Sequence, residues 1–164
     1  MAKLKLVVSV ADVLERELEP TMKDWLRRVN LISELTCIPL NDAERTGHLR
    51  RLYLDMISRL RNAKGAERPA SVAAAVHGQM RHSQGYSVAM LIEESRVFQV
   101  ATFGALHLHQ SQLDQKKVLA DVIVIADEVD SQLRESVRSL TASETNIGRS
   151  PAHAARFISW VPVE

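Results

Sequence analysis

The chain of 164 residues contains little cysteine, few aromatic side chains and almost no net charge. Cys37 is the single cysteine, which excludes an intrachain disulfide and a zinc site built from several cysteines. No apolar run reaches the roughly 18 residues that a membrane-spanning helix needs. The formal charge of +1 provides no overall field for nucleic acid or an acidic membrane surface. We therefore expect a protein that binds neither.

The rest of the composition is that of a folded domain. Hydrophobic residues make up 46% and charged residues 25%, close to the average for globular proteins. With only 4% aromatic residues, the core must consist mainly of leucine, valine, isoleucine, alanine and methionine. The N-terminal apolar stretch is too short for a signal peptide, and a lone thiol fits a reducing compartment. These features predict a soluble cytoplasmic domain.

Sequence motifs of common enzymes are missing. The chain has no glycine-rich phosphate loop, no H-E-x-x-H and no G-x-S-x-G. No set of nucleophile, base and orienting group can be assembled from the sequence. We predict that the domain itself is not an enzyme, and whether it belongs to a longer kinase chain stays open.

Helical periodicity dominates the first half of the chain. Apolar residues from Leu49 to Leu60 recur at helical spacing, and Asn41 with Glu44 forms a capping box that predicts where this helix begins. An earlier helix is predicted from Pro20 to Pro39. The segment Leu4–Leu18 alternates like a strand at first, but without an evident partner strand we predict helix throughout.

Three further segments complete an all-α bundle of about five to six helices. Ser71–Gln84 is alanine-rich and ends at Gly85, and Ser87 caps a long central helix running to about Gln112. The last long helix is predicted from Leu113 to Leu140. We divide the chain into a helical domain at 1–140 and a polar linker with a short C-terminal segment at 141–164.

The densest polar feature surrounds the predicted turn at Gly85. His77 and Arg81 are four residues apart on one helix and share a face. If Gly85 reverses the chain, that face meets Glu93 and Glu94 at the start of the next helix. Two interpretations remain open, a clamp that fixes the helix corner or a ligand or switch site. The candidate residues are His77, Arg81, Tyr86, Glu93, Glu94 and Arg96.

Cofactor and DNA binding are weaker interpretations. His77 and His107 lie on neighbouring predicted helices and could bracket a haem, but a helical histidine near a core is more often structural. We expect no metal and no cofactor, with haem a minor alternative. The helix–Gly turn–helix pattern suggests a DNA-binding motif, but its second helix is too apolar to leave a face for the groove.

The motif H-G-x-x-R-x-x-x-G-Y at His77–Tyr86, followed by L-I-E-E-S-R at Leu91–Arg96, resembles the N-terminal domain of RsbR-type stressosome proteins, the RsbT co-antagonist family. Trp25, His48-Leu49 and D-E-V-D-S-Q-L from Asp127 add to the resemblance, which covers roughly residues 10–140. The same domain occurs at the front of bacterial sensor histidine kinases. The resemblance implies an all-α, globin-like arrangement without haem and a sensory or regulatory role. It also implies a downstream output module, and none is evident after residue 140.

Together these observations predict a non-catalytic input domain of a bacterial signalling system. We expect a homodimer that signals through its last long helix to an output domain or protein partner. The alternative for that helix is an ordinary core-facing one. A second hypothesis is a sensor of an apolar ligand, with a pocket lined by Met56, Met80, Met90, Phe98 and Phe103. The predicted dimer and signalling seam comprises Leu119, Val122, Ala126, Val129, Leu133 and Leu140.

Overall fold

The computed structural model of the chain describes residues 7–62 and 70–148, with side chains as far as residue 145. Five helices of 12 or more residues and several shorter ones account for most of these residues, and the described part contains no sheet. This confirms the predicted all-α bundle. The α-helices are α1 (Val10–Arg16), α2 (Leu18–Val29), α3 (Ser33–Thr36), α4 (Asp42–Thr46), α5 (Leu49–Arg61), α6 (Val72–Ser83), α7 (Val88–Leu108) and α8 (Val118–Gly148).

The N-terminal segment differs from the prediction of helix throughout. Val8 is extended and forms an isolated parallel bridge with Leu113, so its partner lies more than 100 residues away. Helix α1 begins only after Ser9, whose hydroxyl accepts the Asp12 amide at 3.1 Å. A bridge of such long range leaves no local signal, and this explains the error.

Helix α2 begins before Pro20 and ends well before Pro39. Pro20 is its third residue, where a missing N–H still costs nothing because the first-turn amides lack helical acceptors. The helix ends at Val29, and the four-residue α3 follows before Pro39. The predicted helix from Pro20 to Pro39 is therefore two helices.

The capping box is present, but the helix that it begins is short. Asn41 Oδ1 accepts the Glu44 amide and Glu44 Oε2 accepts the Asn41 amide, each at 2.9 Å. Gly47 then adopts a φ of +26°, a left-handed conformation that favours glycine, and α4 ends there. Helix α5 begins separately at Leu49 and buries the predicted apolar stripe.

The α6–α7 corner follows the sequence prediction closely. Ser71 caps α6 and Ser87 caps α7 through side-chain bonds to Ala74 and Met90 amides. Gly85 turns the chain between them with a φ of +86°. Helix α7 ends at Leu108, and a short 3₁₀ turn follows where we predicted more helix.

Helix α8 begins later and runs further than predicted. It starts at Val118, and its helical conformation continues past Leu140 to Gly148, through part of the segment predicted as a linker. The proposed domain division at residue 140 stays a prediction. The apolar segment Phe157–Val161 lies outside the described residues.

The core lies between α8 and the helices that surround it. Buried aliphatic residues from every long helix form it, together with Trp25, Tyr53 and Phe98. The Tyr53 and Phe98 rings meet edge to face with centroids 6.0 Å apart. None of the helices in the described ranges is both long and apolar enough to cross a membrane.

Candidate functional site

The corner between α6 and α7 brings a buried ionic cluster together. His77 and Arg81 lie one turn apart on α6, and Glu94 lies in the second turn of α7. The positive φ of Gly85 reverses the chain so that these faces meet. All three side chains are buried, Arg81 and Glu94 almost completely. The helical spacing and the glycine turn predicted that both Glu93 and Glu94 meet this face, and in the structure only Glu94 does so.

Glu94 holds the cluster together through both carboxylate oxygens. Arg81 donates from Nη2 to Oε1 at 2.5 Å and from Nε to Oε2 at 3.0 Å, a bidentate pair. His77 Nε2 lies 3.2 Å from Oε2. Because an ionised carboxylate only accepts, the histidine proton belongs on Nε2. One buried anion thus binds two side chains of α6.

Arg81 uses all five of its N–H groups. Beyond Glu94, Nη1 donates to the Gln84 side chain at 2.6 Å and to the Glu44 carbonyl at 3.2 Å, and Nη2 donates to the Arg45 carbonyl. The two carbonyls lie at the end of the short helix α4. The guanidinium therefore joins α4, α6 and α7, and none of its own donors is left unsatisfied.

The Tyr86 ring completes the cluster by packing against the face of the Arg81 guanidinium. Its ring is buried, and the Arg81 Cζ atom lies 4.8 Å from the ring centroid. Burial raises the pKa of Tyr86, and the charge of Glu94 adds to this. The phenol is thus held neutral beside the ion pair.

The electrostatics keep Glu94 ionised despite its position. Burial acts to raise its pKa, but the hydrogen bonds with His77 and Arg81 and the charge of the guanidinium outweigh burial and lower the pKa below its ordinary value. A buried ion pair of this kind is stable only while both partners are present. The cluster therefore behaves as one unit.

Two of the six candidate residues lie elsewhere. Glu93 and Arg96 pair with each other near the solvent, with Nη2–Oε1 at 2.5 Å and Nε–Oε2 at 2.8 Å. They are one turn apart on α7 and face away from the cluster. The structure thus brings together His77, Arg81, Tyr86 and Glu94, and not Glu93 and Arg96.

Sequence reasoning missed the polar groups that surround this cluster. Gln84 follows Arg81 by three residues, so helical spacing could have identified it. The carbonyls of Glu44 and Arg45 carry no sequence signal, because any residue has one. Arg45 is itself buried and donates to the carbonyls of Leu35 and Ile38 at 3.0 Å, which secures the loop before α4.

Helix α6 packs on α8 at very close range. A Cβ atom on Gly78 would overlap the Ser136 carbonyl oxygen, so only glycine fits there. Ser136 Oγ donates to the Ala74 carbonyl at 2.9 Å, a bond between the two helices. One turn before Ser136 on α8, Gln132 Nε2 donates to the Leu52 carbonyl at 3.0 Å. The helix that carries the cluster is thus tied to α8 next to His77.

A cavity of about 20 Å³ adjoins the cluster and is lined by His77, Glu94, Gln132 and Ser136 among others. The buried Nδ1 atom of His77 has no hydrogen-bond partner. Such a volume accommodates about one water molecule.

The residues predicted to line an apolar pocket do not share this cavity. Met56, Met90 and Phe98 are core residues, and of them only Phe98 lines the cavity. His107 lines a different groove, between α2 and α7.

Most of the predicted seam faces the core of its own chain. Val129 and Leu140 are buried, and Val122 and Leu133 pack against the core. Ala126 is partly buried, and Leu119 is 69% exposed. Of the six residues, Leu119 is the one best placed to contact a second molecule, and dimerisation stays a prediction.

The fold and this corner define an all-α domain whose buried polar site joins helices through one ionic cluster. Within residues 7–62 and 70–148, no three His, Cys, Asp or Glu side chains come together as a metal site would require. No protein-family model, no curated protein and no solved structure matches the chain significantly.

Proposed function

We propose that this domain is a non-catalytic sensory or regulatory input domain of a bacterial signalling system, of the stressosome or histidine-kinase type, acting in the cytoplasm. The resemblance of residues 77–96 to RsbR-type N-terminal domains suggests the class, and the all-α fold agrees with it. Output comes from a downstream module or a protein partner.

The observation that carries this proposal is the position of the His77–Arg81–Glu94 cluster. It joins α4, α6 and α7, and α6 packs backbone to backbone on α8 one residue beyond His77. Packed helices shift between discrete arrangements. A change in the cluster therefore alters how α6 lies on α8, and α8 carries the change towards Gly148.

Hydrogen exchange distinguishes this relay from a helix clamp. In His77→Gln, a relay predicts altered amide protection in residues 137–148 of α8, beyond the turn that faces His77. A change confined to α6 and the facing turn of α8 would contradict the relay and favour the clamp. Glu93→Gln is the matched control, because its carboxylate lies outside the cluster, and we expect no change in α8.

The proposed homodimer is tested at Leu119. Native mass spectrometry of the unmodified protein reports subunit number and any retained ligand in one spectrum. Leu119→Glu should convert a dimer to a monomer, whereas Leu108→Glu should not, although that leucine is 79% exposed on α7. A monomer before any substitution, or a dimer that survives Leu119→Glu, rejects a dimer built on this seam. Retained extra mass would favour the ligand-sensor alternative.

A further inference from the structure

A groove lies on the other side of α6, between α5, the start of α6 and the middle of α8. The groove has a volume of about 620 Å³, within the range of small-molecule sites. Side chains that can donate hydrogen bonds line it on α5, on α8 and at the residue that caps α6. They include His48, Ser58, Arg59, Asn62, Ser71 and Ser131.

Arg59 is the unusual residue in this groove. It is partly buried, its Nε atom is enclosed and has no hydrogen-bond partner, and no described carboxylate pairs with its guanidinium. A buried N–H of a cation without an acceptor is unfavourable, and the contrast with the fully bonded Arg81 is direct. The described residues thus supply no acceptor for the Arg59 Nε–H group.

The carboxylates of the groove are engaged elsewhere. Asp55 pairs with Arg51 at 3.1 Å, one turn apart on α5. Glu128 accepts a hydrogen bond from the Gln132 side chain at 3.1 Å. Among the described residues, neither carboxylate forms an ion pair with Arg59.

The start of α6 reinforces this charge. Val72 and Ala73 line the groove, and first-turn amides of a helix have no helical acceptor. The positive end of the helix dipole lies there as well. Arg59 and the α6 amides therefore both favour an anion.

We propose that the α5–α6–α8 groove is a binding site for a small oxyanion-bearing ligand, a phosphate or a carboxylate, with Arg59 as its principal contact. The Ser58 and Ser131 hydroxyls orient the ligand. The proposal goes beyond the sensory function and stands without it, because it concerns binding alone.

The test is a titration followed by amide chemical shifts, with inorganic phosphate in one arm and citrate in the other, at constant ionic strength. We expect saturable shifts at Ser71, Val72 and Ala73 in at least one arm, and the stronger arm identifies the ligand class. Arg59→Gln should weaken binding at least about tenfold, as loss of a charged hydrogen bond does. Arg27→Gln, which removes a surface arginine of α2, should leave the affinity unchanged.

Two results overturn the proposal. One is the absence of saturable shifts with both ions. The other is equal affinity in the wild type and Arg59→Gln. If Arg59→Gln does not fold, Arg59→Lys decides the matter: it keeps the charge but loses the planar fork, so affinity should fall measurably, and an unchanged affinity would contradict the role of Arg59.

Discussion

Glu93 and Glu94 are neighbours in the chain, yet their surroundings have little in common. The Glu94 side chain is 1% exposed and binds Arg81 and His77, whereas that of Glu93 is 29% exposed and binds Arg96 on the same helix. Both carboxylates have a lowered pKa, Glu94 against the effect of burial and Glu93 through Arg96. An arginine–glutamate pair therefore helps to join three helices in one case and lies on the surface of a single helix in the other. The comparison indicates that burial, more than pairing, determines how much a charged residue contributes to the stability of the fold.

The largest effect is expected on removing the buried charge. Glu94→Gln leaves Arg81 buried without its anion, which costs about 3–5 kcal/mol of unfolding free energy. Glu93→Gln removes a solvent-screened pair and should cost less than about 1 kcal/mol. Urea unfolding of both variants measures the difference. Equal losses would contradict the comparison.

The next effect concerns two glycines in the interiors of helices. Gly78→Ala places a methyl group against the Ser136 backbone, so we expect a loss of about 1–3 kcal/mol from overpacking. Gly104→Ala meets nothing within 4 Å and should be neutral or stabilising by up to about 1 kcal/mol, because alanine favours the helix. Thermal unfolding distinguishes the two. A Gly78→Ala protein as stable as the wild type would show that α6 and α8 can separate freely.

Acid titration sharpens the comparison by a different route. Because the pKa of folded Glu94 lies below its ordinary value of 4.5, its contribution to stability is present above that pH. The contribution is lost as the pH falls through the folded pKa.

Salt distinguishes the two carboxylates in the same titration. Carboxyl-carbon NMR should show that added salt raises the pKa of Glu93 towards 4.5 but barely moves that of Glu94, since buried pairs are screened less. Equal salt sensitivity would place both pairs in solvent.

The smallest effect is expected from two serines of α8. Ser136 bonds across to α6, and Ser136→Ala should cost about 0.5–1.5 kcal/mol because the buried Ala74 carbonyl loses this donor. Ser143 bonds back to the Ser139 carbonyl of its own helix, and Ser143→Ala should be neutral or slightly stabilising. Denaturant midpoints measured side by side resolve the difference. A larger loss for Ser143→Ala would contradict the assignment.

Much of the corner site could be predicted from the sequence. Helical spacing placed His77 and Arg81 on one face, and Gly85 indicated the turn that brings Glu94 opposite them. Spacing did not distinguish Glu94 from Glu93. Which of two adjacent residues faces α6 depends on the rotation of α7 about its own axis, and the sequence does not specify that rotation. It also missed the break at Gly47, since a strong capping box and a long apolar stripe resembled one continuous helix.

By itself the sequence determined where α6 and α7 begin and how the corner between them turns. Caps at Ser71 and Ser87 and the glycine at position 85 act through bonds within a few residues, which local chemistry specifies. Only the tertiary structure decided that the predicted seam of α8 largely faces its own core and that Arg81 reaches two carbonyls of α4. It also decided that the Nε–H group of Arg59 has no acceptor among the described residues. These outcomes depend on contacts between residues far apart in the chain, for which spacing along a helix carries no information.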